Sequence, residues 1–320
     1  MKSLGEANTD FERRAEAAIW RIPEFADHAV RYGLAAAPVA SPVHRATASD
    51  CVRIERGKEP PVFLKVLQPD AAFHLDYAQV AKAARVAATR GVAPPLLIDQ
   101  AAGGILGFEM LGADWRHATM GDLSREGGID PVLAAKKRLH DGPPIGWRFD
   151  VFDRIDILLA LSRQATAPLP DDLGFLHRNT RLARAAIEAA GYDLRLCHND
   201  GVASNVMLGP QGAVLLVDFD LAGDNDPWFD VGVLLNEVFQ FTTDKRAAIE
   251  RLAGRFDERL LNRCELYAAA DDLMWGLWGC LMGATSPRNG IEFFKYGQWR
   301  LLRCRLAMLA PAFEEHLRRV

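Results

Sequence analysis

The sequence predicts an α+β fold with two lobes: a small mixed β-sheet lobe that carries one main helix, and a larger lobe that is mostly helical. Three observations indicate this. The first 112 residues follow the order strand, strand, helix, strand, strand, whereas almost every pattern after them is helical. The length of 320 residues allows two lobes, and 49% hydrophobic with 25% charged residues is ordinary for a globular protein with a sizeable core. We therefore divide the chain into residues 1–111 and 112–320.

The elements of the small lobe follow from apolar spacing and turn residues. Residues 10–36 have helical spacing, with a break at Pro23. The Ala-rich run 71–90 also has helical spacing and stops at Gly91, with two prolines beyond it. The turn sequences RGKEPP and AAGG each separate two short runs of strand character. The predicted strands are 51–55, 62–67, 95–100 and 104–111.

The large lobe is helical except for one compact strand pair. The pair covers residues 205–208 and 213–218, and the turn GPQG joins its strands. No internal repeat interrupts the helical patterns. The predicted helices are 131–140, 151–165, 175–190, 228–241, 244–254, 258–282 and 292–318.

Charge and cysteine usage exclude several classes of protein. Lys and Arg total 38 against 42 Asp and Glu, so the chain has no excess of basic residues that would bind nucleic acid. We therefore expect a small-molecule partner. The five cysteines are scattered without metal-ligand spacing, which indicates reduced thiols. The apolar stretch 273–284 is shorter than the ~20 residues that span a bilayer. With early acids in place of a signal peptide, we expect a cytoplasmic protein without membrane insertion; the oligomeric state stays open.

One short segment holds polar side chains at fixed offsets. In CHNDGVASNVML (197–208), Asp200 lies two residues after His198 and Asn205 lies five after Asp200, while Asp218 ends the apolar run of LLVDFDLAG. Phosphoryl transfer needs a carboxylate that orients the attacking hydroxyl, and oxygen ligands for magnesium. The GPQG turn folds the second strand back, so these side chains meet at one point. A set of Asx turns on a solvated loop is the alternative, but the ordered combination favours chemistry.

The pattern HNDxxxxN followed by VDFD resembles the catalytic and metal-binding segments of protein kinases, aminoglycoside phosphotransferases and choline kinases. It is most similar to choline/ethanolamine kinases, in which CHND is typical. The resemblance implies a protein-kinase-like bilobal fold, a nucleotide-binding N-terminal lobe, and ATP and Mg²⁺ as cofactors. It implies Asp200 as the catalytic base with His198 in the same loop, and Asn205 and Asp218 as magnesium ligands. Asp230 would be the helix-starting residue that braces the catalytic loop.

The same resemblance assigns nucleotide contacts to the small lobe. Lys65 in VFLKVL would contact the phosphates, although a strand lysine that points to solvent is the alternative. In the family a helix glutamate usually holds this lysine, but 71–90 contains no Glu. Either Asp76 replaces it or Lys65 is tethered less firmly. Glu109 and Leu111 would flank the hinge that meets adenine, or simply end a strand.

The loop expected to cover the phosphates departs from the family pattern. It reads HRATASDCV and has no glycine, although the hydroxyls of Thr47 and Ser49 remain as donors. This departure and the missing helix glutamate motivate one alternative function, a catalytically inactive pseudokinase that binds a nucleotide or a small cation.

The second half of the chain bears on the acceptor. Trp275 and Trp278 share a helix face by their spacing, and Tyr296 with Trp299 repeats it on the next helix. Such a set would form an aromatic cage for a quaternary ammonium, with each cation–π contact worth ~0.5–2 kcal/mol. Core packing is the alternative. Glu237, at a family position, and Asp220 would add negative charge for the cation.

These features favour an ATP- and magnesium-dependent kinase of choline, with ethanolamine or a related amino alcohol close behind. The second enzymatic alternative is phosphorylation of an aminoglycoside or another hydroxylated metabolite, which requires a wide acidic pocket. A protein kinase is disfavoured, because the chain has no GxGxxG loop and has Asn199 where protein kinases usually have Arg.

Overall fold

An antiparallel β-sheet forms the N-terminal part of the protein. The computed structural model describes residues 1–25, 29–41 and 44–320. The strands of this sheet are β1 (Lys2–Ser3), β2 (Val30–Ala36), β3 (Ser49–Arg56), β4 (Val62–Leu67), β5 (Leu96–Gln100) and β6 (Ile105–Glu109). Their order across the sheet is β1-β2-β3-β4-β6-β5. β4 therefore lies inside the sheet, where Lys65 is opposite Cys51 on one side and Leu106 on the other.

Two helices pack with this sheet, and each begins at a side-chain cap. α1 (Asp10–Ile19) starts with a capping box in which Thr9 and Glu12 satisfy each other's backbone N–H. α2 (Tyr77–Thr89) starts at Asp76, whose carboxylate accepts from the N–H groups of Ala78 and Gln79. Ala15 and Ile19 of α1 share a core with the apolar side chains of β3 and β4, namely Val52, Ile54, Val62 and Leu64.

The predicted helical lead-in over 10–36 is wrong in its second half, because Val30–Ala36 forms strand β2. Residues 26–28 of that range lie outside the described residues. Val30 and Tyr32 are buried and Arg31 is exposed, which is the period-two alternation of a half-buried strand. The helix predicted over 71–90 begins later, since Pro69–His74 is a short 3₁₀ segment.

The C-terminal part consists mostly of helices around one long central helix. They are α3 (Met120–Ser124), α4 (Asp130–His140), α5 (Val151–Gln164), α6 (Leu173–Ala190), α7 (Pro227–Val238), α8 (Thr242–Ala253), α9 (Glu258–Thr285), α10 (Phe293–Leu309) and α11 (Ala312–Arg318). α9 is buried along most of its length and packs against α5, α7 and α10. The pattern over 292–318 is two helices, because Pro311 has no N–H to continue the first one. The predicted α+β fold is confirmed.

Short strands in the C-terminal part position the polar segment. β9 (Val206–Leu208) and β10 (Val214–Leu216) pair in antiparallel fashion around the GPQG turn, as predicted. β7 (Arg116–His117) adds to β9, and β8 (Arg195–Cys197) pairs with β11 (Gly223–Asn225). These last three strands were not predicted, because runs of two or three residues carry too little periodicity.

All five cysteines are free and buried, in agreement with the prediction of reduced thiols. Within the described ranges, no helix combines the length and the apolar character that crossing a membrane requires.

Candidate active site

The loop after β8 is held by one buried carboxylate. The backbone N–H groups of His198 and Asn199 donate to Asp230 Oδ2 and Oδ1 over 3.1 and 2.9 Å, and Lys136 Nζ also donates to Oδ1 over 2.5 Å. His140 Nε2 lies 2.9 Å from Asp230 Oδ2. Burial alone would raise the pKa of Asp230, but Lys136 and His140 together hold it well below its usual range. Asp230 therefore remains charged and fixes the path of the loop.

His140, Cys197 and Asp230 also lie close enough to share a metal ion. The Lys136 ammonium already supplies the positive charge at this carboxylate, and His140 is bonded to it. We therefore interpret this group as a structural ion-pair network.

His198 ties the loop to the strand that precedes Asp218. Its Nε2 lies 2.9 Å from the carbonyl oxygen of Val217, and its Nδ1 lies 3.1 Å from the carbonyl oxygen of Asp200. Burial lowers the pKa of His198, with Lys136 acting in the same direction. In its neutral form the ring donates its single N–H to one of these two carbonyls and packs beside the other, so His198 positions the backbone of the site and acts through its neighbours.

Asp200 lies at the centre of the site with a fixed carboxylate. Its Oδ1 accepts the N–H of Val202 over 2.9 Å, and its Oδ2 accepts from Asn205 Nδ2 over 2.9 Å. Burial raises the pKa of Asp200 to about 7, and the nearby Asp218 acts in the same direction. A carboxylate with such a pKa is suited to accept a proton near neutral pH.

Lys65 joins the sheet to the C-terminal part through two carboxylates. Its Nζ donates to Asp218 Oδ1 and Asp220 Oδ1, each over 2.6 Å. Burial would lower the pKa of Lys65, but the two carboxylates hold it well above its ordinary value. Of the two alternatives left open for Lys65, the pairing with Asp76 does not occur, because Asp76 caps α2, where the first N–H groups of the helix need an acceptor. Asp220, expected near the cation, is the second partner of Lys65.

The predicted nucleotide residues line one cavity of about 280 Å³ between the sheet and the C-terminal part. Lys65, Glu109 and Leu111 contribute to its wall, and Asn205 and Asp218 lie on the opposite side. The N–H of Glu109 donates to the carbonyl of Pro95 over 2.9 Å at the end of β6. Apolar side chains complete the cavity, among them Phe63, Phe108, Met110 and Met207.

The cavity floor provides oxygen donors of the kind that magnesium prefers. The side-chain N–H of Asn205 donates a hydrogen bond to Asp200. This leaves the side-chain oxygen of Asn205 free to ligate a cation in the cavity. Asp218 adopts a left-handed backbone conformation (φ 65°) at the end of its strand, and its carboxylate keeps part of its surface exposed in the cavity. The Asp218 carboxylate and the Asn205 amide oxygen fit a hard divalent cation.

A cluster of aromatic rings, the aromatic cluster, lies on the other side of Asp200. It consists of Trp275 and Trp278 on α9 and Tyr296 on α10, with ring centroids 5.2, 6.1 and 6.2 Å apart in edge-to-face geometry. The His44 ring lies 4.9, 5.3 and 4.7 Å from Trp275, Trp278 and Tyr296. The sequence did not single out His44, since its loop lies more than two hundred residues away.

Trp299 does not belong to the aromatic cluster, so that prediction is wrong. Its side chain is 55% exposed. α9 and α10 touch through their backbones, since a Cβ on Gly279 would lie 2.5 Å from the Cα of Gly297. Trp299 follows Gly297 by two residues, which is about 200° around a helix, so it points away from α9.

Charged side chains pack behind the aromatic cluster. Arg300 is buried and forms ion pairs with Asp271 and with Asp272, the latter over 2.6 Å. Glu237 lies 4.0 Å from Arg303, which also contacts Asp272. Burial raises the pKa of Asp271 to about 7, while Arg300 opposes the shift. Asp271, Asp272 and Arg300 were not predicted. The available signal was the pair of acids directly before the apolar stretch 273–284, because buried charges need partners.

Comparisons with known proteins identify the family and the fold. The model of the Phosphotransferase enzyme family matches residues 40–267. A probable choline kinase of Arabidopsis thaliana is 23% identical over 171 residues, which are 45% of this chain and 49% of the relative, so the chain matches about half of that protein's length.

Two solved structures are similar over almost the whole chain. A choline/ethanolamine kinase family protein from Mesorhizobium loti has a TM-score of 0.76 at 24% identity and covers 96% of this chain and 98% of its own. The choline kinase LicA of Streptococcus pneumoniae, in complex with AMP, has a TM-score of 0.73 at 15% identity and covers 92% and 97%. At these identities the likeness demonstrates a shared fold, the protein-kinase-like arrangement expected from the sequence.

Proposed function

The chain belongs to the Phosphotransferase enzyme family, and from this premise we propose that it transfers the γ-phosphoryl group of ATP to the hydroxyl of a small organic cation. Choline is the favoured acceptor, followed by ethanolamine. One observation carries the proposal. Asp200 lines a small cavity together with Asn205 and Asp218 on one side and with Trp275 and Trp278 on the other. The groups suited to phosphoryl transfer and those suited to a cationic head group thus meet at a single carboxylate.

In the proposed reaction, Asp200 accepts the proton of the acceptor hydroxyl while that oxygen attacks the γ-phosphorus of ATP. The bond between the γ-phosphorus and the bridging oxygen breaks, and ADP leaves. The pKa of Asp200, raised by burial to about 7, leaves a substantial ionised fraction near neutral pH. Asn205 holds the carboxylate in place through its 2.9 Å hydrogen bond.

The positive charges of the site complement the phosphates. Lys65 is already desolvated and held between Asp218 and Asp220, so it is pre-organised beside the cavity that we assign to ATP. Asn205 and Asp218 would hold Mg²⁺, and the bound ion would neutralise part of the phosphate charge. The AMP bound by the similar choline kinase supports a nucleotide in this cleft.

The surroundings of Asp200 favour an acceptor with a single positive charge. Two tryptophan rings border the cavity beside it. The acids behind the rings, Asp271 and Asp272, are already paired with Arg300. A polycationic aminoglycoside would require a wide pocket with unpaired acids, whereas a single ammonium requires mainly aromatic faces. These features support the amino alcohol over the aminoglycoside.

The test is ADP release measured with Mg²⁺ and ATP across choline, ethanolamine and a panel of aminoglycosides. We expect the highest kcat/KM with choline or ethanolamine. Turnover of an aminoglycoside alone would contradict the acceptor class. ADP release that no alcohol raises above the substrate-free rate would contradict catalysis and favour the pseudokinase alternative.

A further inference from the structure

The loop between β2 and β3 carries His44 into the aromatic cluster. Backbone hydrogen bonds in both directions between Val39 and Arg45, 2.9 and 2.8 Å long, close the loop. Ala46 then turns the chain in the left-handed conformation, with φ 52°. This conformation is unfavourable for a residue with a Cβ, so the surrounding contacts must hold it.

The contacts of His44 are those of a bound ligand. Its ring lies 4.7–5.3 Å from the three aromatic centroids, inside the distance of about 6 Å at which a cation binds an aromatic face. Its Nε2 lies 3.0 Å from Thr47 Oγ1, and its carbonyl accepts from Ser204 Oγ over 2.5 Å. An imidazole and a small alkylammonium are of similar size, so the ring occupies the space that the head group of the proposed acceptor would need.

The space that remains is too small for an amino alcohol. The cavity bordered by His44, Asp200 and the tryptophans measures about 30 Å³, enough for about one or two water molecules. The three rings pack against the imidazole itself. A cationic alcohol therefore reaches both Asp200 and the ring faces only after His44 leaves.

We propose that His44 is an intramolecular competitor of the acceptor: its imidazole occupies the aromatic cluster, and the cationic head group binds by displacing it. This inference rests on the proposed function, because it takes the aromatic cluster as the acceptor subsite. His44 thereby sets the apparent affinity for the acceptor.

Among the described residues, two side chains outside the loop donate hydrogen bonds to it, those of Ser204 and Arg288, which makes displacement feasible. Arg288 donates to the carbonyl of Thr47 over 2.8 Å and to Asp70 over 2.8 Å. Release of the loop also relieves the left-handed conformation of Ala46. The same stretch contains Thr47 and Ser49 and borders the nucleotide cavity, so a displaced loop stays close to the proposed phosphate site.

The test uses tetramethylammonium, a head group without a hydroxyl, and the full-length protein. In wild type, the His44 Cε1–H signal should be strongly shifted by the three aromatic rings in ¹H–¹³C NMR, and it is assigned by its loss in His44→Ala. Tetramethylammonium should move it to the position of an exposed histidine. Calorimetry should show about tenfold tighter binding to His44→Ala, because an internal competitor lowers the apparent affinity by the fraction of open sites.

His177→Ala is the matched control, because His177 is partly exposed and pairs with Asp156 in the helical part of the protein. It should leave the affinity and the His44 signal unchanged. Binding of the cation with a stationary His44 signal, or with equal or weaker affinity in His44→Ala, would overturn the inference and leave the proposed function intact. Binding to neither protein would overturn the cationic acceptor and the inference together. If His44→Ala fails to fold, the loss of the signal in His44→Gln assigns it, and the wild-type NMR experiment still decides the point.

Discussion

The loop that carries Asp200 and the aromatic cluster face the same small cavity but differ in how well their polar groups are satisfied. Asp200 and Asp230, the buried carboxylate that holds the loop, accept hydrogen bonds on both oxygens. In the aromatic cluster, Trp278 Nε1 and Tyr296 Oη are buried without a hydrogen-bond partner among the described residues, as is Nδ1 of the His44 ring that fills it. Buried groups of this kind carry a free-energy penalty until a partner arrives. The loop is thus held in one arrangement, whereas the aromatic cluster and the ring that fills it keep polar groups unsatisfied.

The largest effect is expected from Asp200→Asn. This variant keeps the shape of the side chain but cannot accept the hydroxyl proton, so kcat should fall by about 10³-fold while nucleotide affinity changes little. Steady-state ADP release and calorimetry with ATP measure the two effects. Asp193→Asn, an exposed acid before β8, is the control. Normal turnover of Asp200→Asn would refute the assigned role.

Asp230→Asn tests how the loop is held. It leaves the buried Lys136 ammonium without its carboxylate, which should lower the free energy of unfolding by about 3–5 kcal/mol. Urea unfolding measures this change, and the exposed Asp171→Asn provides the comparison. A loss no larger than that of Asp171→Asn would show that the loop does not depend on this ion pair.

Trp278→Leu tests the aromatic cluster against the tryptophan outside it. In the His44→Ala background, where the competing imidazole is absent, the substitution should raise KM for choline about three- to tenfold, because it removes one cation–π contact. KM for ATP should not change. Trp299→Leu, on the opposite side of α10, should leave both values unchanged. Equal effects of the two variants would remove the basis for assigning the cation to the aromatic cluster.

The smallest effect concerns pH and His44. Burial and Arg300 lower its pKa from 6.5 to about 4, and Asp218 opposes the shift. As pH falls from about 6.5 to 4, the unfolded chain takes up a proton that the folded protein does not, so stability is lost. Relative to His44→Ala, the wild-type free energy of unfolding should therefore fall by about 1 kcal/mol between pH 7.5 and 5, allowing for partial exposure of the residue. Urea unfolding at both pH values checks this, and a constant difference would contradict it.

The fold and the reaction chemistry were accessible from the sequence because they depend on short-range order. Strand and helix periods predicted the sheet, α2 and the helices of the C-terminal part, and one turn placed Asn205 and Asp218 side by side. β2 was missed because its Ala-rich end, Leu34–Ala36, dilutes the alternation of Val30 and Tyr32. Local patterns therefore predict elements well where they are long and unambiguous.

By itself, the sequence determined the class of fold and the order of Asp200, Asn205 and Asp218, since backbone geometry brings residues within about twenty positions together. Only the tertiary structure decided which distant groups meet. Lys65 pairs with Asp218 and Asp220 because its strand faces them across the cleft. His44 enters the aromatic cluster and Trp299 leaves it because a loop docks there and α10 turns its glycine face toward α9. Such contacts depend on packing between elements far apart in the chain, which no local period encodes.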